Sequence, residues 1–551
     1  MRTLLTIALL LTASPLFAQS IDPATIGVVS PGTAYYRVYV DDEEVSKHTT
    51  PHKAWESAVR HLATNPGADV RYTLNAQWVV TADLVTAPPG PNPGPPPPDP
   101  DSSIGDHVDA DGWSNFALPG GAQVIHVSSS AGSDDNDGLT PESPVKTLYR
   151  AANMVSPDHP DWILFRAGDT FTGGIKYMGY PQIDGVDHDS PMVFGAYGEG
   201  PRPVFLCDGE SAVKATGGGK IGMAFVGLEF VAHTRNPESP DFDADSTPNQ
   251  SGFRWIGPGS HVLVEDCVFR LFKDGIAVQS NSDEPQLFDF VFRRNIVIDS
   301  WSNGGHSQGI FAKDVHGLTI EENVFDHNGW HSKAGGPRTI FSHNMYLANG
   351  SSDVVVRGNI STRGASHGLQ FRPGGLCENN LFARNGLAMY NRGDTVRNVA
   401  MEGVDISETA PRGHGIDVKF RDDPNVTIEV AENLVVNRLT STPEPGITVS
   451  REATHAVLLR YNIVRNYYSR DGDGIVIDES SEPFVTLEDN IHRANDTTEF
   501  VDPNRDFGTY IDGGFDAFIE GARSRQRGEW NPKFTAAAFN EYMREGFTPK
   551  E

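Results

Sequence analysis

The sequence predicts an all-β chain dominated by a right-handed parallel β-helix, with a small N-terminal α+β module and a C-terminal helical cap. Three observations carry this. An Asn directly precedes a short apolar run at Asn295, Asn323, Asn359, Asn380, Asn433, Asn462 and Asn490. These positions recur at roughly the 20–50-residue periods of solenoids, and Cys267 holds the same place in "EDCVF". A second phrase also recurs, with a small or polar residue followed by alternating apolar positions: DGIAVQ, QGIFAK, HNMYLA, HGLQFR, NGLAMY, HGIDVK, PGITVS and DGIVID. Finally, 56 glycines in 551 residues supply many turns. One such repeat cannot bury its own apolar face, whereas stacked repeats can. Parallel strands lying one above another, with amides laddered along the axis, make a β-helix. Each net hydrogen bond of the ladder contributes about 1 kcal/mol.

The elements follow in chain order. Residues 1–18 read as a secretory signal: Arg2, an apolar run over Leu4–Leu11, and "SPLFA" ending at Ala18. The apolar run is too short to span a bilayer, and no later segment is apolar enough, so a secreted or periplasmic protein is expected. Residues 21–85 read as a ββαββ module. "YYRVYVDDEEV" alternates like strands. "TTPHKAWESAVRHLATNPG" is helical, with Thr50 as N-cap and Pro51 at the first helical position. Residues 86–104, "TAPPGPNPGPPPPDPDSS" and the following Ile, are a proline-rich linker of polyproline II character. The β-helix is expected over 105–500. It begins with a strand, an acidic loop at Asp134–Asp137 and a helix that places Leu148, Ala151, Ala152 and Val155 on one side. The acidic loop lacks the spacing of an EF-hand and is expected to be a solvated turn. Calcium is the cofactor for which an opening remains, and no residue is assigned to a metal. Residues 501–551 form the cap and tail.

Composition narrows the partners. A net charge of −29 argues against nucleic acid as a general partner, though a local basic groove can still take an anionic ligand. Cys207, Cys267 and Cys377 are too few and too widely spaced for a disulfide framework or a zinc pattern. Buried thiols are expected.

Aligning the recurring phrases gives three columns, in each of which successive members lie one coil, ~4.8 Å, apart. The first runs Asp274, Gln308, His343, His367, Asn385, His414, Pro445, Asp473. The second runs Ala277, Phe311, Tyr346, Gln370, Ala388, Asp417, Thr448, Val476. The third runs Gln279, Lys313, Ala348, Arg372, Tyr390, Lys419, Ser450, Asp478. The middle coils thus gather imidazoles, a phenol and cations on an outer, protic, basic groove. The long turn "DHNGWHSKAGGPRTIFS" is expected to wall it with Trp330 and His331, Trp330 either stacking on a sugar ring or pinning the loop.

The whole pattern resembles the pectate-lyase-like superfamily of right-handed β-helix proteins, over roughly residues 120–500. "GSDDNDGLTPESPVKTL", "AGDTF" and "GEGPRPVF" are similar to the leading segment of its secreted polysaccharide-acting members. The resemblance implies a secreted polysaccharide-acting protein, and the basic, protic groove points to a lyase acting on an anionic, uronate-containing polysaccharide. β-Elimination needs a carboxylate neutraliser, a base for the C5 proton and an acid for the leaving oxygen. Arg372 suits bidentate carboxylate binding, with Lys313 or Lys419 assisting. His343 or His367 suits the base, and Tyr346 the acid or the base. Gln370, Tyr390, Asp417, Lys419, Trp330 and His331 are the expected substrate-binding residues. A C5-epimerase would use the same neutraliser and base. A glycoside hydrolase would need two carboxylates, for which Asp417 and Asp314 are available. A non-catalytic binding or adhesin solenoid is the remaining alternative.

Overall fold

The chain divides into two compact units, Met1–Pro96 and Pro97–Glu551. The computed structural model describes the strands of the first unit and most of residues 103–550 of the second. The second unit's undescribed residues are 181, 217–218, 244–250, 283–284, 386, 392–394, 398–399, 403–414, 420–426, 437–443, 451–455, 468 and 493–499.

In the first unit, Tyr36–Val40, Glu43–His48, Val70–Leu74 and Gln77–Val79 form an antiparallel sheet with Tyr36–Val40 and Val70–Leu74 at its centre. The signal, the helix expected after Thr50 and most of the proline-rich segment lie outside the described residues.

The second unit is a right-handed parallel β-helix. Among the described residues its coils build three parallel sheets of ten, thirteen and eleven strands. The recurring phrase forms the ten-stranded sheet. Ile276, Ile310, Met345, Leu369, Met389, Ile416, Ile447 and Ile475 stand in one register and are buried in the core. Further inside, Phe205, Phe230 and Phe269 stack at 5.0 and 5.4 Å. Near the first coil, the short helix Leu148–Ala152 buries Ala151 and Ala152 in the same core.

The asparagine ladder lies between the thirteen- and eleven-stranded sheets. Asn295 Oδ1 accepts the Cys267 N–H at 2.9 Å, Asn323 Oδ1 that of Asn295 at 2.8 Å, and Asn359 Oδ1 that of Asn323 at 3.0 Å. The series continues through Asn380, and again from Asn433 through Asn462 to Asn490. Each of these turns opens with a residue of positive φ, such as Arg294 at 57° and Glu322 at 53°, which the ladder holds in the left-handed region.

On the outward face of the thirteen-stranded sheet, two residues before this ladder and buried at Glu265, Arg293 and Glu321, runs a rail of alternating charge. Glu265, Arg293, Glu321, Arg357, Glu378 and Arg397 stand in register. Arg293 lies 2.6 Å from Glu265 and 3.4 Å from Glu321, and Arg357 lies 2.7 Å from Glu321.

Two segments cover the outer faces. A strap from Ser103 to Phe116 crosses the thirteen-stranded sheet, burying Ile104 against Val193, Ala224, Leu263 and Val291. The expected C-terminal helix is Ala536–Gly546, joined by Gly514–Arg523, and the two pack along the coils instead of capping the last one. They cover the flank of the eleven-stranded sheet, where Phe515, Phe518, Phe539 and Met543 pack on Ile296, Val324, Ile360 and Leu381. Arg523 and Arg363 converge on Asp326, each at 2.5 Å.

The three cysteines are buried free thiols, as expected. Burial pushes the Cys207 and Cys267 thiols up to about 12. In the acidic loop, Asp134 accepts the backbone N–H groups of Lys146 and Thr147, both at 2.9 Å, and the Thr147 hydroxyl at 2.8 Å. Its carboxylate therefore clips the loop to the N-cap of the helix that follows.

Candidate functional site

The ten-stranded sheet carries the predicted residues, and its register settles which of them are neighbours. Phe311, Tyr346 and Gln370 share one column, as the phrase alignment predicts. The next coil differs. Tyr390, not Ala388, stands beside Gln370, and Asp417 follows Tyr390. The alignment slips by two residues because Asn385, which looks like the first residue of the phrase, belongs to another structure. Its Oδ1 accepts the Gly364 N–H at 2.9 Å and the Asn344 amide at 3.2 Å. Asn344 in turn accepts from Asn328 at 3.0 Å. A second amide ladder thus runs through Asn328, Asn344 and Asn385, and the strand Leu387–Asn391 starts beyond it.

His343 and His367 are adjacent, with ring centroids 4.5 Å apart and Nδ1 atoms 2.8 Å apart. They do not line an open groove, as the sequence reading has them; their exposures are only 3% and 2%. The cause is a third ladder at the head of these strands. Asp274 Oδ1 accepts the Gln308 N–H at 2.9 Å, and Gln308 Oε1 accepts the His343 N–H at 2.8 Å. The His367 N–H points to His343 Nδ1 at 3.4 Å. The Asp274, Gln308 and His343 side chains each meet the backbone of the next coil, which draws the imidazoles inward. Burial pushes the Asp274 carboxyl up, against the attraction of Lys273 and the Gln308 N–H.

The pair reaches the surface through Tyr346. Its half-buried ring stands edge-on to His343 at 5.4 Å and to Phe311 at 5.3 Å. The Arg372 guanidinium lies 5.1 Å from the Tyr346 centroid, within cation–π range. His343, His367, Tyr346 and Arg372 are therefore one contact group, with Gln370 buried beside Tyr346 in register.

The other predicted residues lie apart from that group. Exposed Lys313 pairs with Asp314 at 3.2 Å. Asp417 is buried and accepts from the Thr448 and Ser450 hydroxyls at 3.0 and 2.9 Å, with Lys419 at 3.4 Å. Trp330 pins its loop: the indole N–H donates to the Arg363 carbonyl at 2.9 Å, and Arg338 lies 3.8 Å from the ring centroid. His331 packs in the same loop near Trp301 and His327. Burial, then His327, lowers its imidazole.

The exposed aromatic of this loop is instead Phe341, at 52%, with His306 5.3 Å away. The Phe341 carbonyl accepts from Gln308 at 2.8 Å, which ties the loop to the head of the polar ladder. Phe341 and Gln308 were not singled out from sequence. The available signal was "TIFS", a pair of apolar residues inside an otherwise polar turn.

Residues 247–401 match the family described as right handed beta helix region. No curated protein matches the sequence. Similar solved structures include a GH136 lacto-N-biosidase from Eubacterium ramulus, at 13% identity, TM-score 0.36, covering 68% of each chain. The A-module of a mannuronan C-5 epimerase from Azotobacter vinelandii is similar at 14% identity and TM-score 0.35, over 60% of this chain and 86% of that one. The catalytic unit of a GH87 α-1,3-glucanase from Streptomyces thermodiastaticus is similar at 13% identity and TM-score 0.35, over 84% and 85%. The matched family and the three-sheet coil bear out the resemblance in fold to the pectate-lyase-like β-helix proteins.

Proposed function

We propose that the protein is a secreted polysaccharide-active enzyme that cleaves an anionic, uronate-containing chain by β-elimination on the outer face of the ten-stranded sheet. The observation that carries this is the contact group in which Arg372 lies over Tyr346 while Tyr346 rests edge-on against the buried His343–His367 pair. A guanidinium beside a phenol is what the reaction needs. Arg372 pairs with the uronate carboxylate and so acidifies the C5 proton. Tyr346 takes that proton as phenolate and, as the phenol so formed, returns it to the glycosidic oxygen. The C5–H electrons become the C4–C5 double bond, the C4–O bond breaks, and its oxygen leaves protonated. The imidazole pair sits behind the phenol as its polar support. The sugar chain runs across the coils, past Phe311 and Phe341 on one side and the Tyr390 and Asp417 positions on the other.

Hydrolysis finds less support, because Asp417 is held by two hydroxyls and a lysine, and Asp314 is paired with Lys313. Binding without catalysis is favoured by one observation, the burial of both imidazoles as ladder members. The test is ultraviolet absorbance during incubation with alginate, pectate, chondroitin, hyaluronan and ulvan, with and without calcium. The expected result is a rise from unsaturated uronate on one polymer, lost at least tenfold in Arg372→Ala and in Tyr346→Phe. No rise on any polymer, together with no new reducing ends, would leave the binding reading in its place.

A further inference from the structure

On a different face of the solenoid, three metal-ligating side chains converge from segments far apart in sequence. We propose that His107, His188 and Asp189 form a transition-metal site, of the kind that takes Zn2+, clamping the N-terminal strap to the loop that precedes the strand Met192–Tyr197. The site shares no residue with the proposed carbohydrate face.

The geometry is the first argument. His107 Nε2 lies 3.1 Å from Asp189 Oδ1 and His188 Nε2 lies 3.5 Å from the same oxygen, with all three ligand atoms within 4.8 Å of one another. Zinc bonds of roughly 2.0–2.2 Å to nitrogen and oxygen in tetrahedral geometry imply ligand–ligand edges of about 3.3–3.5 Å. Two of the three edges already approximate those lengths. A small rotation of one imidazole closes the third.

The donor set is the second argument. Two imidazoles and one carboxylate suit zinc and its neighbours, whereas calcium prefers a shell of oxygens. The residues also remain accessible, with side-chain exposures of 29%, 25% and 63% for His107, His188 and Asp189. An ion can enter, and water can complete its coordination.

The supporting structure is the third argument. Asp187 Oδ1 accepts the backbone N–H groups of Asp189 and Ser190 at 3.0 and 2.8 Å, forming the turn that presents His188 and Asp189 together. The His188 ring rests 5.3 Å from that of His261, which Asp289 holds at 2.8 Å. Asp289 also accepts the Ile104 N–H at 2.8 Å, so the same carboxylate anchors the strap just before His107. His107 packs against Phe116 at 5.6 Å. Both rings thus pack against aromatic rings outside the site.

A metal here would tie the strap directly to this loop, and its binding energy would add to folding. The experiment uses the full-length protein after removal of metals by chelator. Zn2+ titration by calorimetry is expected to show this site, and Co2+ to give the visible absorption of a tetrahedral centre. His107→Gln, His188→Gln and Asp189→Asn should each weaken Zn2+ binding at least tenfold, while His316→Gln, on the same sheet, should not. Zn2+ should raise the Tm of the parent protein and leave that of the three variants unmoved. Absence of Zn2+ binding in the parent overturns the proposal. So does affinity within twofold of the parent in all three variants, or Ca2+ binding as tight as Zn2+.

Discussion

Two ladders climb the same solenoid and answer the same need with different chemistry. In the asparagine ladder, each amide oxygen accepts the N–H of the coil before it, and each amide nitrogen donates to a backbone carbonyl, as Asn323 does to Phe292 at 2.8 Å. In the ladder through Asp274, Gln308, His343 and His367, each of the first three side chains accepts the N–H of the coil after it. The first is uniform, sealed at the turn and neutral at every pH of interest. The second passes from carboxylate to amide to imidazole, and its His343 ring packs against Tyr346. An exposed-looking pattern of titratable residues can therefore be a backbone device first. The chemistry is available where the requirement is only for an acceptor, since carboxylate, amide and imidazole all meet it.

The largest expected effect breaks the uniform ladder. Asn323→Leu leaves the Asn295 N–H and the Phe292 carbonyl without their partners in a fully buried turn. At about 1–3 kcal/mol for each orphaned group, urea unfolding should show a lower midpoint with little change in slope. The heterogeneous ladder should be more forgiving. His367→Asn, which keeps an acceptor and a donor, is expected to stay within about 1 kcal/mol of the parent, whereas His367→Leu should cost about 1–3 kcal/mol. If His367→Asn keeps full stability yet loses more than tenfold in activity, the imidazole has a chemical role that an amide cannot fill.

Acid should separate neutral ties from ionic ones. Asp326 is desolvated by burial, but Arg523 and Arg363, with the Thr362 hydroxyl, hold its carboxyl down at about 2. A folded value below the ordinary 3.8 means stability that is present above pH 4 and is lost as pH falls toward 2. The loss amounts to about 2 kcal/mol. Asp326→Asn should remove that part of the acid dependence, while the asparagine ladder contributes none. The smallest effect belongs to Lys313→Ala. Its exposed pair with Asp314 should change stability by less than about 1 kcal/mol. Any loss should appear in polymer binding at low salt and fade as salt rises.

The asparagine ladder was legible because a buried amide at a fixed place in every coil leaves a periodic mark, strong enough for Cys267 to be recognised as its first member. The phrase register was legible from Ile276 to Leu369 for the same reason. It failed at Asn385 because one residue type serves two ladders, and sequence does not say which one a given Asn has joined. The adjacency of His343 and His367 followed from the register. Their burial did not, because strand alternation gives a side chain's direction but not what lies over it. His107 and His188 carried no signal at all, since nothing in their separate segments shows that the strap returns across the sheet.

The charged rail carries a further consequence, one of counting. The amide ladder repeats one residue type from Asn295 to Asn380, so there it would tolerate a solenoid made longer or shorter by any whole number of turns. The rail from Glu265 to Arg397 alternates in sign. Excising one turn would set Glu against Glu or Arg against Arg at ~4.8 Å, a repulsion on the order of 3 kcal/mol at an effective dielectric of about 20. Excising two would restore the alternation. The rail thus works as a parity check, under which this stretch of the solenoid grows or shrinks in pairs.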